Sequence, residues 1–325
     1  MKRRILLFVQ AAVTVLLLVL LFRAFDWRRF GAVLQHLPLS YYFGSLVIVL
    51  AGQLLYAWRW HVLLAAGGVP VRFWRAVEQY FIGNFVNSFI PSTVGGDVAR
   101  GYRLGREHGF HAVAASIVLD RALGIGLLSA LAALAMWIAP LPDAAFRTVR
   151  MIMALTALGA AGGVAVMSTG TGGLSRRLAR LGPRAAFIAE HLQLFRQQCA
   201  TVREPLVLAK AVAAVAGYFV LLTIAYEWFL DLQLGHVASF VSVLAVVAAS
   251  SALSNIPVSI NGLGLREQLH VVLLRSLGVP KEPAVAISLL VFMHAWVLSL
   301  AGGVFWMRTP VVVRPETDAA VELAG

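Results

Sequence analysis

Cysteine occurs once in the 325 residues, as Cys199, which excludes an internal disulfide and any cysteine-based zinc site. Histidine is scattered. His108-x-x-His111 and Glu267-x-x-His270 have metal-ligand spacing but no further ligands near them in sequence. A nucleotide-binding glycine loop is also missing, because Gly262-Leu263-Gly264 follows no strand and has no third glycine. The chain therefore carries no site for ATP hydrolysis. No serine or cysteine has a base beside it in sequence. We expect a protein that is not an enzyme and that uses no cofactor and no metal; an intramembrane enzyme is the class with least support. Charge is sparse too, at 13% of residues, and acidic residues are the scarcer kind, 15 Asp+Glu against 27 Lys+Arg.

Hydrophobic residues make up 60% of the chain, and the mean hydropathy is +0.83. A soluble domain of this length cannot bury that much apolar surface, so the solvent is lipid. The net charge of +12 is then explained by basic residues that hold cytoplasmic loops inside and meet anionic headgroups; nucleic-acid binding is not expected. Met1-Lys2-Arg3-Arg4 and the apolar run Ile5–Phe22 resemble a signal peptide. Arg23-Ala24-Phe25-Asp26-Trp27 offers no small-residue cleavage site, and the run reads as a retained first helix.

Full spans are expected at about 5–22, 41–64, 111–139, 149–168, 205–230 and 283–307, each with the ~20 apolar residues that ~30 Å of hydrocarbon requires. Loop 169–204 carries Arg176, Arg177, Arg180, Arg184, Arg196 and Arg203 and is expected to be cytoplasmic. Lys2, Arg3 and Arg4 put the N-terminus on the same side, as do Arg59, Arg72 and Arg75 after the second span and Arg308 and Arg314 at the C-terminus. Arg23, Arg28 and Arg29 disagree, falling in a loop this topology places outside. Within loop 169–204, Ser175–Arg180 and Ala185–Gln198 read either as amphipathic helices on the inner leaflet or as a solvated connector. The tail 309–325, with Pro310 and Pro315, is expected to be disordered. Residues 1–308 thus form a single transmembrane domain, with half-repeats at about 41–168 and 205–307.

Two further apolar segments, about 76–108 and 238–277, are each broken by the same string. Ser88-Phe89-Ile90-Pro91-Ser92-Thr93-Val94-Gly95-Gly96-Asp97-Val98-Ala99-Arg100 aligns without a gap on Ser254-Asn255-Ile256-Pro257-Val258-Ser259-Ile260-Asn261-Gly262-Leu263-Gly264-Leu265-Arg266. Ser88, Ile90, Pro91, Gly96 and Arg100 recur as Ser254, Ile256, Pro257, Gly262 and Arg266. Hydrophobic segments interrupted by Gly and Pro at corresponding places in two halves point to a transporter's binding site, although ordinary Pro/Gly loops are the plainer alternative. Irregular backbone at membrane depth survives only where protein or a water-filled cavity satisfies it. Each segment is therefore expected to be a re-entrant hairpin of two short helices. With six spans the hairpins enter from opposite sides, as an inverted repeat suited to alternating access. The fold class is an all-α polytopic membrane protein.

Asn84, Asn87 and Ser88 recur at helical spacing on one face of the first hairpin, and Pro91 ends that helix. Gly95-Gly96 allows a tight turn, and Asp97 stands where an N-cap belongs. Arg100 and Arg103 follow three residues apart, so a helix N-terminus and two guanidinium groups offer a phosphate site. The alternative is that Asp97 caps the helix and pairs with Arg100. In the second copy Asn255, Ser259 and Asn261 are polar at the tip, Gly262 and Gly264 give freedom, and Arg266-Glu267 replaces the lone arginine. Glu267 either neutralises Arg266 or carries a proton. Asp120-Arg121 lies inside the third span, where charge faces a cavity or pairs with another helix. Glu78, Lys210, Glu227 and His294 are lesser candidates.

Asn84-x-x-Asn87-Ser88-x-Ile90-Pro91 through Gly95-Gly96-Asp97-x-x-Arg100-x-Tyr102, then Asp120-Arg121, then Ile256-Pro257-x-Ser259-x-Asn261-Gly262-x-Gly264-x-Arg266-Glu267 together resemble the lysylphosphatidylglycerol synthase transmembrane-region family, also called flippase-like. The resemblance covers roughly residues 5–308 and includes the membrane half of the multiple peptide resistance factor. It implies a polytopic bacterial inner-membrane protein that moves a lipid between leaflets. Longer relatives carry a soluble domain that transfers an aminoacyl group from tRNA to phosphatidylglycerol. That domain is not expected here, and the synthase activity is not carried over.

The leading expectation is translocation of a lipid or lipid-linked headgroup, its phosphate held near Arg100, Arg103 and Arg266 between the hairpin tips. The partners are membrane lipids, anionic or zwitterionic. A second class is a non-catalytic membrane subunit that presents lipid to a partner synthase or glycosyltransferase through loop 169–204. A transporter of small soluble anions would use the same chemistry.

Overall fold

The computed structural model describes residues 27–89, 94–141, 143–169, 192–193, 195–255 and 264–308. Every regular element among them is helical: α1 Trp27–Gln35, α2 Leu39–Ala66, α3 Phe73–Phe89, α4 Gly95–His108, α5 Phe110–Ile138, α6 Asp143–Thr169, α7 Pro205–Leu234, α8 Phe240–Ser254, α9 Leu265–Arg275 and α10 Lys281–Arg308, with a 3₁₀ turn at Thr201–Arg203. Five are long and apolar enough to cross a membrane: α2, α5, Phe146–Thr169 of α6, α7 and α10. They coincide with five of the expected spans. The expected first span, the central part of loop 169–204 and the tail 309–325 lie outside the described residues. α1 was not anticipated from sequence. It lies at the end of the bundle where α7 finishes, since Gln233 donates to the Val33 carbonyl at 3.2 Å.

Long apolar helices pack here through small residues, as membrane helices do. α2 and α7 run antiparallel: Gly44 admits the Trp228 ring and Gly52 the Tyr218 ring, each close enough that a Cβ would collide. Tyr41 donates across the same seam to the Ala225 carbonyl at 3.1 Å. α10 meets α3 likewise, with Gly302 against the Phe81 carbonyl and Gly303 against the Phe85 ring. The opposite faces carry lipid-type surface. Leu39, Phe43 and Val47 on α2 and Leu155, Leu158 and Val166 on α6 are exposed.

The two interrupted segments are pairs of short helices, as their Pro/Gly strings suggest. α3 and α4 fold back on each other: Arg75 near the start of α3 is ion-paired with Glu107 near the end of α4, and Gly83 lies against Gly96 further along. α8 and α9 do the same. Val237, just before α8, contacts Gly278, just after α9. The strings themselves, 90–93 and 256–263, lie outside the described residues, and with them Pro91, Pro257, Ser259, Asn261 and Gly262.

Cys199 is packed among Leu63, Leu119, Leu123, Val202 and Val207, and burial pushes its thiol up to about 11. The thiolate is the nucleophile, so maleimide labelling of the folded protein is expected to be slow at neutral pH and to rise only as pH approaches that value. Denaturation should restore ordinary reactivity. Native labelling at the rate of a free thiol would contradict this packing.

Candidate functional site

The apolar α2 contains one charge, Arg59, which is only 5% exposed. A guanidinium at that depth needs an anion, and Asp120 of α5 supplies it: Arg59 Nε lies 2.9 Å from Asp120 Oδ1. Gly124, one turn further along α5, makes the room, since a Cβ there would sit 3.0 Å from an Arg59 nitrogen. Sequence reasoning used Arg59 as a cytoplasmic marker after the second span. That reading is corrected: Arg59 is buried inside α2. Its signal was a lone charge in an apolar run.

Asp120 also faces α4. Arg100 Nη2 is 3.4 Å from Asp120 Oδ2 and 2.8 Å from Asp97 Oδ1. Arg121 closes the chain with its Nε 2.6 Å from Asp97 Oδ2. The order Arg59–Asp120–Arg100–Asp97–Arg121 joins α2, α5 and α4 through alternating charges. Aromatic faces hold the cations in place: Arg59 lies 4.7 Å from the Tyr56 ring centroid and Arg100 4.4 Å from that of Trp60.

Asp97 does not cap α4. The helix starts at Gly95 with Val94 as its N-cap, so Asp97 is its third residue, and its carboxylate faces the two arginines. The backbone N–H of Gly96 is instead taken by the Asn87 side chain, which accepts at 2.7 Å. Asn84 donates to Gln53 at 3.1 Å. Ser88 turns away toward α10 and donates to Ser299 at 3.0 Å.

These groups surround a cavity of about 230 Å³ lined by Tyr56, Arg59, Tyr80, Asn84, Asn87, Gly96, Asp97, Arg100, Asp120, Arg121, Gly124 and Asn255, among others. Three guanidinium groups against two carboxylates leave one net positive charge. Asn255, from the end of α8, brings the second segment to the same cavity. Within the charge chain, Arg59 Nη1 and Arg100 Nη1 are buried and have no hydrogen-bond partner among the described residues. Such an unmade bond costs about 1–3 kcal/mol, and an anion in the cavity would remove that cost.

Two expected phosphate ligands stand elsewhere. Arg103 does not share the Arg100 face; its guanidinium lies 4.9 Å from the Trp306 ring centroid on α10. Arg266 lies 4.7 Å from the Phe292 ring centroid, its Nη2 2.9 Å from the carboxylate of Glu267, and it does not line the cavity. Glu267 is fully buried and also accepts from the Gly264 N–H at 2.7 Å. His270 bonds both the Tyr226 hydroxyl, at 2.8 Å, and the Arg266 carbonyl, at 2.8 Å. The Glu267-x-x-His270 spacing therefore builds an internal network around α9.

Gly264 has φ +79° and ψ −48°, a region that side chains avoid. Gly264→Ala is expected to cost about 1–3 kcal/mol, read as a lower melting temperature in detergent. An unchanged melting temperature would mean that this backbone relaxes freely.

Sequence also missed a group at the end of α7. Glu227, Asp231 and His236 bring ligand atoms within 4.8 Å of one another. Asp231 and His236 are exposed, and the i, i+4 carboxylates followed by a histidine past Gly235 were the available signal.

No curated protein matches the chain. The family model described as lysylphosphatidylglycerol synthase TM region matches residues 7–303. That span holds both folded-back helix pairs and every residue of the charged cavity. The chain is therefore a membrane protein of the lysylphosphatidylglycerol synthase transmembrane-region family.

Proposed function

We propose that the chain translocates a phospholipid or lipid-linked headgroup between leaflets, in a bacterial inner membrane with both termini cytoplasmic. The headgroup phosphate binds in the cavity between the two folded-back pairs, which act as re-entrant hairpins entering from opposite sides. The observation that carries this reading is a pair of buried guanidinium nitrogens, Arg59 Nη1 and Arg100 Nη1, that have no hydrogen-bond partner among the described residues and belong to arginines lining a cavity with net positive charge. A phosphate offers several acceptors to such a fork. Arg121 adds charge, and Asn84, Asn87 and Asn255 can bond neutral parts of the headgroup. Asp97 and Asp120 balance and orient the arginines in the empty state, so the site does not bury a bare cation cluster. Movement between leaflets needs no bond made or broken.

Transbilayer movement of labelled phospholipid in proteoliposomes tests it. The wild type is expected to collapse leaflet asymmetry. Arg100→Lys keeps the charge but loses the fork, and should slow movement at least about tenfold, or ~1.4 kcal/mol. Arg59→Lys should do likewise. Wild-type rates in both variants would remove the cavity from the route. No movement by the wild type, with anionic or zwitterionic lipid, would favour a non-catalytic subunit that presents lipid to a partner synthase or glycosyltransferase.

A further inference from the structure

A second concavity lies on the far side of the arginines. α5 turns Arg121, Gly124 and Ile125 toward the charged cavity and Ala122, Leu123 and Gly126 toward a groove of about 320 Å³ shared with α6. No residue lines both. At the groove floor Gly126 and Ala160 bring the two helices so close that a Cβ on Gly126 would sit 2.7 Å from that of Ala160. Above the floor the walls are mostly alanine and other apolar side chains, ending at Ser168 and Arg203. α6 is peripheral: only 6% of its spanning window is buried inside the protein, and Ala161 and Ala165 are exposed. The groove thus opens where lipid must lie.

We propose that this groove binds one acyl chain of a phospholipid whose phosphate pairs with Arg203. Its length fits. From Ala157 to Ser168 the α6 wall rises roughly 16 Å at 1.5 Å per residue, about half of a ~30 Å hydrocarbon core and so one leaflet. Its polarity fits, because a trough this apolar excludes water and loses dispersion contacts unless hydrocarbon fills it. Its charge fits as well. Arg203 sits exposed at the end where α6 finishes and α7 begins, at the level a headgroup occupies. Among the described residues it donates one hydrogen bond, to the Ser168 carbonyl, and forms no ion pair. Small residues alone would suit a packed helix equally; an exposed arginine at the mouth of a leaflet-long trough selects a lipid. This binding does not depend on translocation, since Arg203 lines the groove and not the charged cavity.

The test uses the full chain in liposomes containing phosphatidylglycerol with a diazirine on one acyl chain, with photoadducts located by mass spectrometry. Adducts on groove residues between Ala122 and Ala130 and between Ala157 and Ala165 should exceed those on the lipid-facing Met293, Val297 and Val304 of α10. Arg203→Ala, at the exposed surface, should lower groove labelling about fivefold, the contribution of one basic residue at a membrane surface, and Arg203→Lys should retain most of it. Ala161→Trp should block the trough. Diacylglycerol carrying the same chain should label at the Arg203→Ala level. Equal adduct density on groove and α10, labelling indifferent to Arg203 or to the phosphate, or α6–α6 protein cross-links in place of lipid adducts would each overturn the proposal. Translocation in the same liposomes reports separately on the charged cavity.

Discussion

Asp120→Ala is expected to lower unfolding stability by about 3–5 kcal/mol, the range for breaking a buried pair from one side. Asp120 is the only carboxylate that touches both Arg59 and Arg100 among the described residues. Without it two guanidinium groups, 5% and 4% exposed, lose their shared counter-ion, and only Arg100 keeps a carboxylate within the charge chain, Asp97. Asp120→Asn keeps the shape and the acceptor oxygen but not the charge, and should fall between wild type and alanine. Removing both ends should be milder than the sum: in Arg59→Met/Asp120→Leu the desolvation cost of each ion disappears with its partner. Denaturant melts in a fixed detergent, arranged as a double-mutant cycle, measure this. A loss below about 1 kcal/mol for Asp120→Ala, the scale of a surface pair, would show that Arg59 and Arg100 are neutralised by something else.

Gly96→Ala is expected to be the most damaging single methyl in the first helix pair. A Cβ at Gly96 would stand 2.1 Å from the Gly83 carbonyl oxygen and 2.8 Å from the Asn87 side chain. The first obstacle is backbone and cannot rotate away, so α3 and α4 must separate. Overpacking of this kind costs about 1–3 kcal/mol and occasionally more, and the upper end applies here. Gly83→Ala probes the same crossing from the other side and should be milder, because its Cβ would meet the Gly96 carbonyl at 3.1 Å and Arg100 Cδ at 3.5 Å. The separation also breaks the Gly96–Asn87 bond and moves Arg100, so Gly96→Ala should lose lipid movement beyond what its melting temperature accounts for. Equal melting temperatures for Gly96→Ala and Gly83→Ala would contradict this packing.

The spans and the two interruptions were legible because they depend on composition over long windows: α2, α5, α7 and α10 each begin and end within a few residues of the apolar limits. Asp120-Arg121 was legible for the same reason, as charge where lipid forbids it. Its partners were not. Arg59 lies 61 residues away in sequence, and nothing local says that α2 and α5 turn those two positions toward each other. Arg103 shows the opposite error. Its i, i+3 spacing from Arg100 implies a shared face, yet α10 offers the Trp306 ring beside it and the two guanidinium groups part. Asp97 falls three residues past the N-cap because α4 begins at Gly95, with Val94 as its cap.

Sequence by itself determined that this chain lives in lipid, that two of its apolar segments are broken at corresponding positions, and that polar and charged residues gather at those breaks. These follow from transfer free energies and backbone restrictions that act on each segment alone. Only the tertiary structure decided which charges meet. It chose Arg59 over Arg103 and Arg266 as the companion of Arg100, brought Asn255 of the second break to the cavity of the first, and left Arg266 to Glu267. Pairing buried ions is a property of helix packing, set where glycines such as Gly83, Gly96 and Gly124 let backbones and guanidinium groups approach, and no single helix contains that information.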